Sequence, residues 1–289
     1  TMGRGFWILD NITALRQNEI TELKENPVLF QPDATIRYHQ PLVRSKGTFP
    51  KYPLTSVLID YYLPDTIKGG LKLEILDSKK QSLVTILSDS TRLRSDEEVE
   101  NMDLSRSFRY VSDKLDNKPG LNRFAWNLRQ KGLWHKDLKR SYKNGPRVPP
   151  GSYTAKLTLG SQTLEAPFEI RMDPRVKEEG LTEADLEKQW AMQLRVRDLH
   201  AEAREFQDEL EKEVESLKGK TDQQKRLELL NSLLKEVKND EGAYPQEMLL
   251  SQIAYLYYMV NGADQVVGKD ALDRYQVLVG ELEKLKKKL

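Results

Sequence analysis

The sequence contains no cysteine among its 289 residues. Disulfide bonds, thiolate nucleophiles and zinc sites built from cysteine ligands are therefore excluded. The chain also lacks any run of about 18 apolar residues, the length that a helix needs to cross a bilayer. The composition thus predicts no membrane span, and the lack of cysteine is compatible with cytoplasmic and with bacterial secreted proteins.

An excess of charge of one sign is absent as well, because 46 Lys and Arg residues stand against 45 Asp and Glu residues. This balance gives the whole chain no general attraction to nucleic acid or to an anionic membrane. Locally the charges separate, since residues 101–150 hold twelve basic and four acidic residues, whereas residues 201–250 hold eight basic and thirteen acidic ones. We predict no nucleic-acid partner.

Familiar catalytic and metal-binding patterns are missing too. The three histidines, His39, His135 and His200, are far apart in the sequence, whereas a metal site needs several converging ligands. No phosphate-binding GxxxxGK[ST] loop and no GxSxG nucleophile motif occurs. Adjacent carboxylates at 96–98 and 178–179 point apart in a strand or helix, unlike the facing pair of a glycosidase. We predict no catalytic residue, no metal and no cofactor in this chain.

Residues 1–16 are predicted to contain a strand of a sheet that the rest of the chain does not provide. Phe6 to Leu9 form an unbroken apolar run, which is typical of a strand buried on both faces. The next convincing strand signal follows some forty residues later, after a polar and proline-rich connector over residues 17–50. We therefore interpret the chain as the C-terminal portion of a longer protein.

Residues 51–173 show the pattern of β-strands. Apolar and polar residues alternate strictly over 71–76, which predicts a strand with one buried and one exposed face. Gly160 and the residue after it predict a tight hairpin between two further strands. Five or six short strands, interrupted by polar insertions at 88–118 and 129–147, predict an antiparallel β-sandwich of immunoglobulin-like type.

From residue 181 the apolar period becomes that of helices. Thr182 and Asp185 approximate a capping box at the start of a helix of roughly 35 residues. Gly219 is predicted to end this helix, and further apolar stripes continue to the end of the chain. The pattern over residues 181–289 predicts a three- or four-helix antiparallel bundle, and the fold class of the whole chain is therefore α+β.

Several segments together resemble one bacterial family, the sortilin-like, BNR-repeat β-propeller proteins named as glycosyl hydrolases. These segments are TMGRGFWILD at 1–10, GLNRFAWNLR at 120–129, GPRVPPGSYT at 145–154, MDPR at 172–175 and NGADQ at 261–265. The resemblance spans essentially the whole chain, and its motifs are moderately specific.

The resemblance implies a place for the chain in a larger secreted protein. Residues 1–16 would be the final strand of a β-propeller encoded upstream, and the chain would be a non-catalytic C-terminal accessory region behind it. Its partner would be that upstream propeller, and its location would be extracytoplasmic, in the periplasm, on the outer surface or secreted. The alternative is that the chain belongs to a carbohydrate-active enzyme, a glycoside hydrolase whose catalytic residues lie outside it, or is that enzyme's binding module.

The best candidate for a binding site is an aromatic and basic cluster within the 129–147 insertion and the strand before it. Aromatic faces interleaved with cations can bind sugar rings, bases or an acidic protein. Trp126 lies in an alternating strand and is more simply explained as core. The residues predicted to contact a polysaccharide or another protein are Trp134, Arg129, His135, Lys136, Arg140 and Tyr142.

A third class of function is protein recognition by the long first helix of the helical region. Its sign would be apolar residues that stay exposed on that helix after the helices have packed.

Overall fold

The computed structural model describes residues 11–17, 26–39, 55–64, 70–88, 115–133, 145–239 and 245–289. The chain divides into two compact units. The first, here called the strand unit, comprises Thr1–Leu128 and Pro150–Asp173, and the second, the helical unit, comprises Arg129–Pro149 and Pro174–Leu289. The predicted strand at the start of the chain lies outside the described residues.

Two sheets form the described part of the strand unit. The smaller sheet contains β1 (Val28–Leu29), β3 (Val57–Leu63) and β6 (Gly120–Trp126), in the order β1-β3-β6. The larger, curled sheet contains β2 (Thr35–Arg37), β4 (Leu71–Leu76), β5 (Ser82–Leu87), β7 (Gly151–Leu159) and β8 (Gln162–Met172), in the order β2-β8-β7-β4-β5. Neighbouring strands are antiparallel except β2 and β8, which are parallel. A short helix, α1 (Thr13–Gln17), precedes β1.

The strands β3 to β8 form within residues 51–173, where the residue pattern predicts strands, whereas β1 and β2 lie in the predicted connector over residues 17–50. In β7 every second side chain is buried, as expected for a strand with one face on a core. The hairpin from β7 to β8 pairs Leu159 with Gln162. Its turn contains Gly160, whose φ of 58° lies in the left-handed region that glycine enters without steric cost.

Side chains from both sheets meet in an aromatic cluster. The Trp126 ring of β6 lies edge-on to Tyr153 of β7 and Phe168 of β8, at centroid distances of 6.4 and 6.3 Å. Tyr153 and Phe168 stack on each other at 5.8 Å. Trp126 is fully buried, which confirms the prediction that it belongs to the core.

One ion pair is built into the smaller sheet. Asp60 of β3 lies opposite Arg123 of β6 in the register. The guanidinium donates two parallel hydrogen bonds to the carboxylate, from Nε at 2.6 Å and from Nη2 at 2.8 Å. Because Asp60 is buried, this paired geometry compensates for its loss of hydration.

Helices and their connections form the helical unit. They are α2 (Pro174–Glu178), α3 (Glu183–Leu217), a 3₁₀ turn (Thr221–Gln223), α4 (Gln224–Val237), α5 (Leu249–Asn261) and α6 (Lys269–Lys286). The long helix α3 contacts α4, α5 and α6. The chain thus combines largely antiparallel sheets with helices, and the predicted α+β class is confirmed.

The predicted ends of α3 are confirmed as well. The Thr182 hydroxyl accepts a hydrogen bond from the Asp185 amide at 3.2 Å, and the Asp185 carboxylate accepts one from the Thr182 amide at 3.1 Å. These two bonds form a capping box, and the Thr182 donors lower the pKa of Asp185. At the other end, Gly219 adopts a left-handed φ of 82°, two residues beyond Leu217.

The helices share one apolar core, to which α3 also contributes polar side chains. Gln189 donates from Nε2 to the carbonyls of Val260 and Ala263 at 2.9 and 2.6 Å, and Gln193 donates to Val260 at 2.8 Å. Both glutamines are buried. They satisfy the carbonyl of Val260 in the last turn of α5, where carbonyls lack partners within the helix, and that of Ala263 just beyond the helix.

None of the helices in the described ranges is both long enough and apolar enough to cross a membrane.

Candidate functional site

The predicted binding cluster lies only in part within the described residues. Trp134, His135, Lys136, Arg140 and Tyr142 fall in the gap between 133 and 145. Arg129 is described and is buried. Its Nη1 donates a hydrogen bond to the Gly145 carbonyl at 2.6 Å. The guanidinium therefore joins the two ends of the 129–147 segment, and contact with a ligand through these six side chains stays a prediction.

The two ends of this segment approach each other closely. Arg129 and Arg147 form an antiparallel bridge, and the Gln130 amide donates to the Pro146 carbonyl at 3.0 Å. A Cβ atom on Gly145 would lie 1.6 Å from the Gln130 carbonyl oxygen. Only a residue without a side chain fits there, so Gly145 permits the close approach.

The paired ends of the 129–147 segment, here called its base, contact α3. The Trp190 indole donates from Nε1 to the Gln130 side-chain oxygen at 3.1 Å, and Leu133 packs against the helical core. Burial raises the pKa of Tyr257, while Arg129 and Arg197 counteract that rise electrostatically. The positive charges of both guanidinium groups thus favour the ionised form of the buried Tyr257 phenol and oppose the effect of its burial.

A second candidate, which sequence reasoning missed, is a groove between α5 and α6, here called the tyrosine groove. It encloses about 900 Å³, within the range of about 300–1,000 Å³ that is usual for small-molecule sites. Ten residues line it: Glu247, Ser251, Gln252, Ala254, Tyr255, Leu256, Tyr258, Met259, Asp270 and Arg274.

The groove arises because α5 carries more apolar residues than one buried face can hold. Its inner face buries Leu249, Leu250, Ile253, Leu256, Tyr257 and Val260 in the core. Its outer face leaves Tyr255 73% exposed, Tyr258 52% exposed and Met259 38% exposed. Large apolar side chains grouped in this way on a surface are typical of binding sites.

Charged and polar groups stand beside the exposed rings. Arg274 of α6 donates to the Gln252 side-chain oxygen, and its Nη1 lies 3.7 Å from Glu281 Oε1. Glu247 accepts a hydrogen bond from Asn239 Nδ2 at 3.0 Å, and donors from Asn239 and Ser251 lower the pKa of its carboxyl. The groove therefore presents carboxylate oxygens and a guanidinium next to aromatic surface.

Two sequence signals point to this groove. The first is the composition of α5, where apolar residues continue around the helix and exceed the usual stripe of about 100°. The second is the spacing of Tyr255 and Tyr258, which puts both rings on one face. Sequence reasoning assigned no role to Tyr255 or Tyr258.

The long helix α3 lacks the sign expected of a recognition helix. None of the large apolar side chains exposed in the described residues lies on α3. They lie instead on α5, on α6, in the loop between them, at Leu289 beyond α6 and in the strand unit. In the described part of the helical unit, Tyr255, Tyr258 and Met259 line the tyrosine groove. Four other exposed apolar side chains do not line it: Val266, Leu272, Val277 and Leu289.

No group of three or more potential metal ligands is present among the residues that the structure describes. Comparison of the chain with protein-family models, with curated proteins and with solved structures found no match.

Proposed function

We propose that the chain is a non-catalytic accessory region of a secreted bacterial β-propeller protein, which supports the propeller and recognises a glycan or a protein partner. The resemblance of the five segments quoted above supports the propeller context and the extracytoplasmic location. The exposed aromatic rings of the tyrosine groove support the recognition role.

We also propose the finer architecture that the sequence predicts. The aromatic contacts between the two sheets support an immunoglobulin-like sandwich in the strand unit. The common apolar core of α3, α4, α5 and α6 supports an antiparallel bundle in the helical unit. Both arrangements would provide rigid supports from which a recognition surface can be presented.

One observation carries the recognition role. Tyr255 is 73% exposed and Tyr258 is 52% exposed, although both lie on a helix whose other face is buried in the core. Leaving large apolar surface hydrated forgoes about 25 cal/mol per Å² of burial energy. A patch of this kind is common where a ligand covers it.

The alternative function is part of a glycoside hydrolase, or the binding module of one. It shares the recognition of sugars with the first proposal but differs in predicting hydrolysis by the parent protein. The two proposals are separated by measuring binding and bond cleavage on the same substrates.

The test uses the full chain on an array of polysaccharides and oligosaccharides, with release of reducing ends measured in parallel. We expect binding to at least one glycan without cleavage, and Trp134→Ala would report on the predicted loop. Cleavage by the chain itself would refute a non-catalytic role. Failure to bind any glycan or any protein from the secreted fraction would refute recognition.

A further inference from the structure

The size of the tyrosine groove favours a small or narrow ligand. Stable protein–protein interfaces use about 20–30 residues on each side, whereas ten residues line this groove. Its volume of about 900 Å³ is instead that of a site for an extended small molecule or a short polymer segment.

The charges of the groove disfavour an anionic ligand. Glu247 and Asp270 contribute two carboxylates and Arg274 one guanidinium to the lining. Arg274 lies 3.7 Å from Glu281 and donates to Gln252, so its charge is partly balanced within the protein. An anionic ligand would meet two carboxylates, whereas a ligand rich in hydroxyl groups could both donate to them and accept from Arg274.

A sugar ring matches this combination of surfaces. Its C–H face is apolar and packs on an aromatic ring, while its hydroxyl groups lie around the edge and need donors and acceptors. Tyr255 and Tyr258 are one turn apart on α5, so their rings form neighbouring apolar surfaces along the groove. Carboxylate, amide and guanidinium groups stand beside those rings.

We propose that the tyrosine groove binds a short stretch of an uncharged polysaccharide. Tyr255 and Tyr258 pack against the sugar faces, and Asp270, Gln252 and Arg274 exchange hydrogen bonds with the hydroxyl groups. This assignment rests on the recognition role proposed above, because it names the class of ligand and the residues that take it.

A neighbouring cavity offers one more acceptor. It encloses about 170 Å³ and shares Met259 and Asp270 with the groove. Gln189 lines it, and its buried Oε1 accepts no hydrogen bond from the described residues. A ligand hydroxyl is a donor of the kind that this oxygen can accept.

The experiment is isothermal titration of the full chain with cellohexaose, maltohexaose and xylohexaose as neutral probes, and with hexagalacturonate as an anionic probe. The variants are Tyr255→Ala and Tyr258→Ala, with Tyr255→Phe to keep the ring. Leu121→Ala is the matched control, because Leu121 is a 50% exposed apolar side chain in the strand unit. Circular dichroism verifies that each variant is folded.

We expect at least one neutral probe to bind, and either Tyr→Ala variant to weaken that binding by about fivefold or more, as for a truncated aromatic anchor. Tyr255→Phe and Leu121→Ala should bind like the original chain. The proposal is overturned if the Tyr→Ala variants bind the neutral probes unchanged, or if only hexagalacturonate binds. It is also overturned if none of the probes binds.

The result also separates this inference from the broader proposal. If Trp134→Ala weakens glycan binding and the groove variants do not, recognition stands but the tyrosine groove is not its site. If sedimentation shows a dimer that Tyr255→Ala dissociates, the groove is covered by a second copy of the chain and the sugar assignment is lost.

Discussion

At the scale of single residues, several side chains have roles that only their surroundings reveal. Arg129 belongs to a basic cluster in the sequence, yet its guanidinium is buried and holds the Gly145 carbonyl. Asp60 lies inside a strand, where a carboxylate is unfavourable, yet Arg123 pairs with it through two hydrogen bonds. Each case shows a charged group whose burial is compensated by a specific partner.

Two glycine substitutions should have opposite effects on stability. Gly145→Ala places a Cβ 1.6 Å from the Gln130 carbonyl oxygen, so the base of the 129–147 segment must open, and we expect a loss of about 2 kcal/mol. Gly280→Ala lies inside α6 with no atom within 4 Å of the new Cβ. There we expect a gain of about 0.5–1 kcal/mol from the lower backbone entropy of the unfolded chain.

Urea unfolding of both variants measures these changes in the free energy of unfolding. Equal stability of Gly145→Ala and the original chain would show that the base tolerates separation of its two ends. A destabilised Gly280→Ala would show that α6 has less space at this position than the structure indicates.

At the scale of elements, the helix ends are satisfied by side chains distant in sequence. The start of α3 is capped locally by Thr182 and Asp185. The end of α5 is capped by Gln189 and Gln193 of α3, about seventy residues earlier in the chain. The local cap is readable from a sequence motif, whereas the distant cap depends on how the two helices pack.

Gln189→Leu should destabilise the helical unit. The substitution removes two hydrogen bonds, to the Val260 and Ala263 carbonyls. Because the Val260 carbonyl keeps its hydrogen bond from Gln193, we expect a loss of about 1 kcal/mol. Gln265→Leu is the matched control, because Gln265 donates to the Met259 carbonyl of the same helix from an exposed position. Thermal unfolding followed at 222 nm compares the two variants. Similar losses would contradict the special role of the buried cap.

At the scale of the whole molecule, both units contain carboxylates whose hydrogen bonds lower their pKa. Lys80 lowers the pKa of Glu165 in the strand unit. In the helical unit, the pKa of Asp185 is lowered by Thr182, that of Glu211 by Gln207 and Lys238, and that of Glu247 by Asn239 and Ser251. Each of these groups binds its proton more weakly in the folded chain than in the unfolded chain.

Acid should therefore destabilise the protein. A carboxyl group with a lowered folded pKa adds stability above its unfolded pKa, and this contribution is lost as the pH falls through the folded value. We expect the thermal midpoint to fall between neutral pH and about pH 3, and to fall less steeply for Glu211→Gln. Parallel curves for the variant and the original chain would exclude Glu211 from this acid response.

Much of the fold was predictable because its signals are local. The alternation over β4 and β7, the glycine turn between β7 and β8 and the capping box of α3 each depend on neighbouring residues. The candidate site was less predictable. An aromatic residue on a helix is equally compatible with the core and with the surface until its spatial neighbours are known. Tyr255, Tyr257 and Tyr258 are the same residue type on one helix, and only the direction that each faces decides whether it is buried.

The sequence by itself determined the class of the chain, the positions of most strands and helices and the boundaries of α3. These follow from periodicity, turn residues and caps, which act over a few residues. Only the tertiary structure decided that Arg129 is buried, that Gln189 caps α5 and that a groove opens between α5 and α6. Those features depend on which faces of distant segments come into contact, and burial and hydrogen bonding across such contacts are not encoded in local patterns.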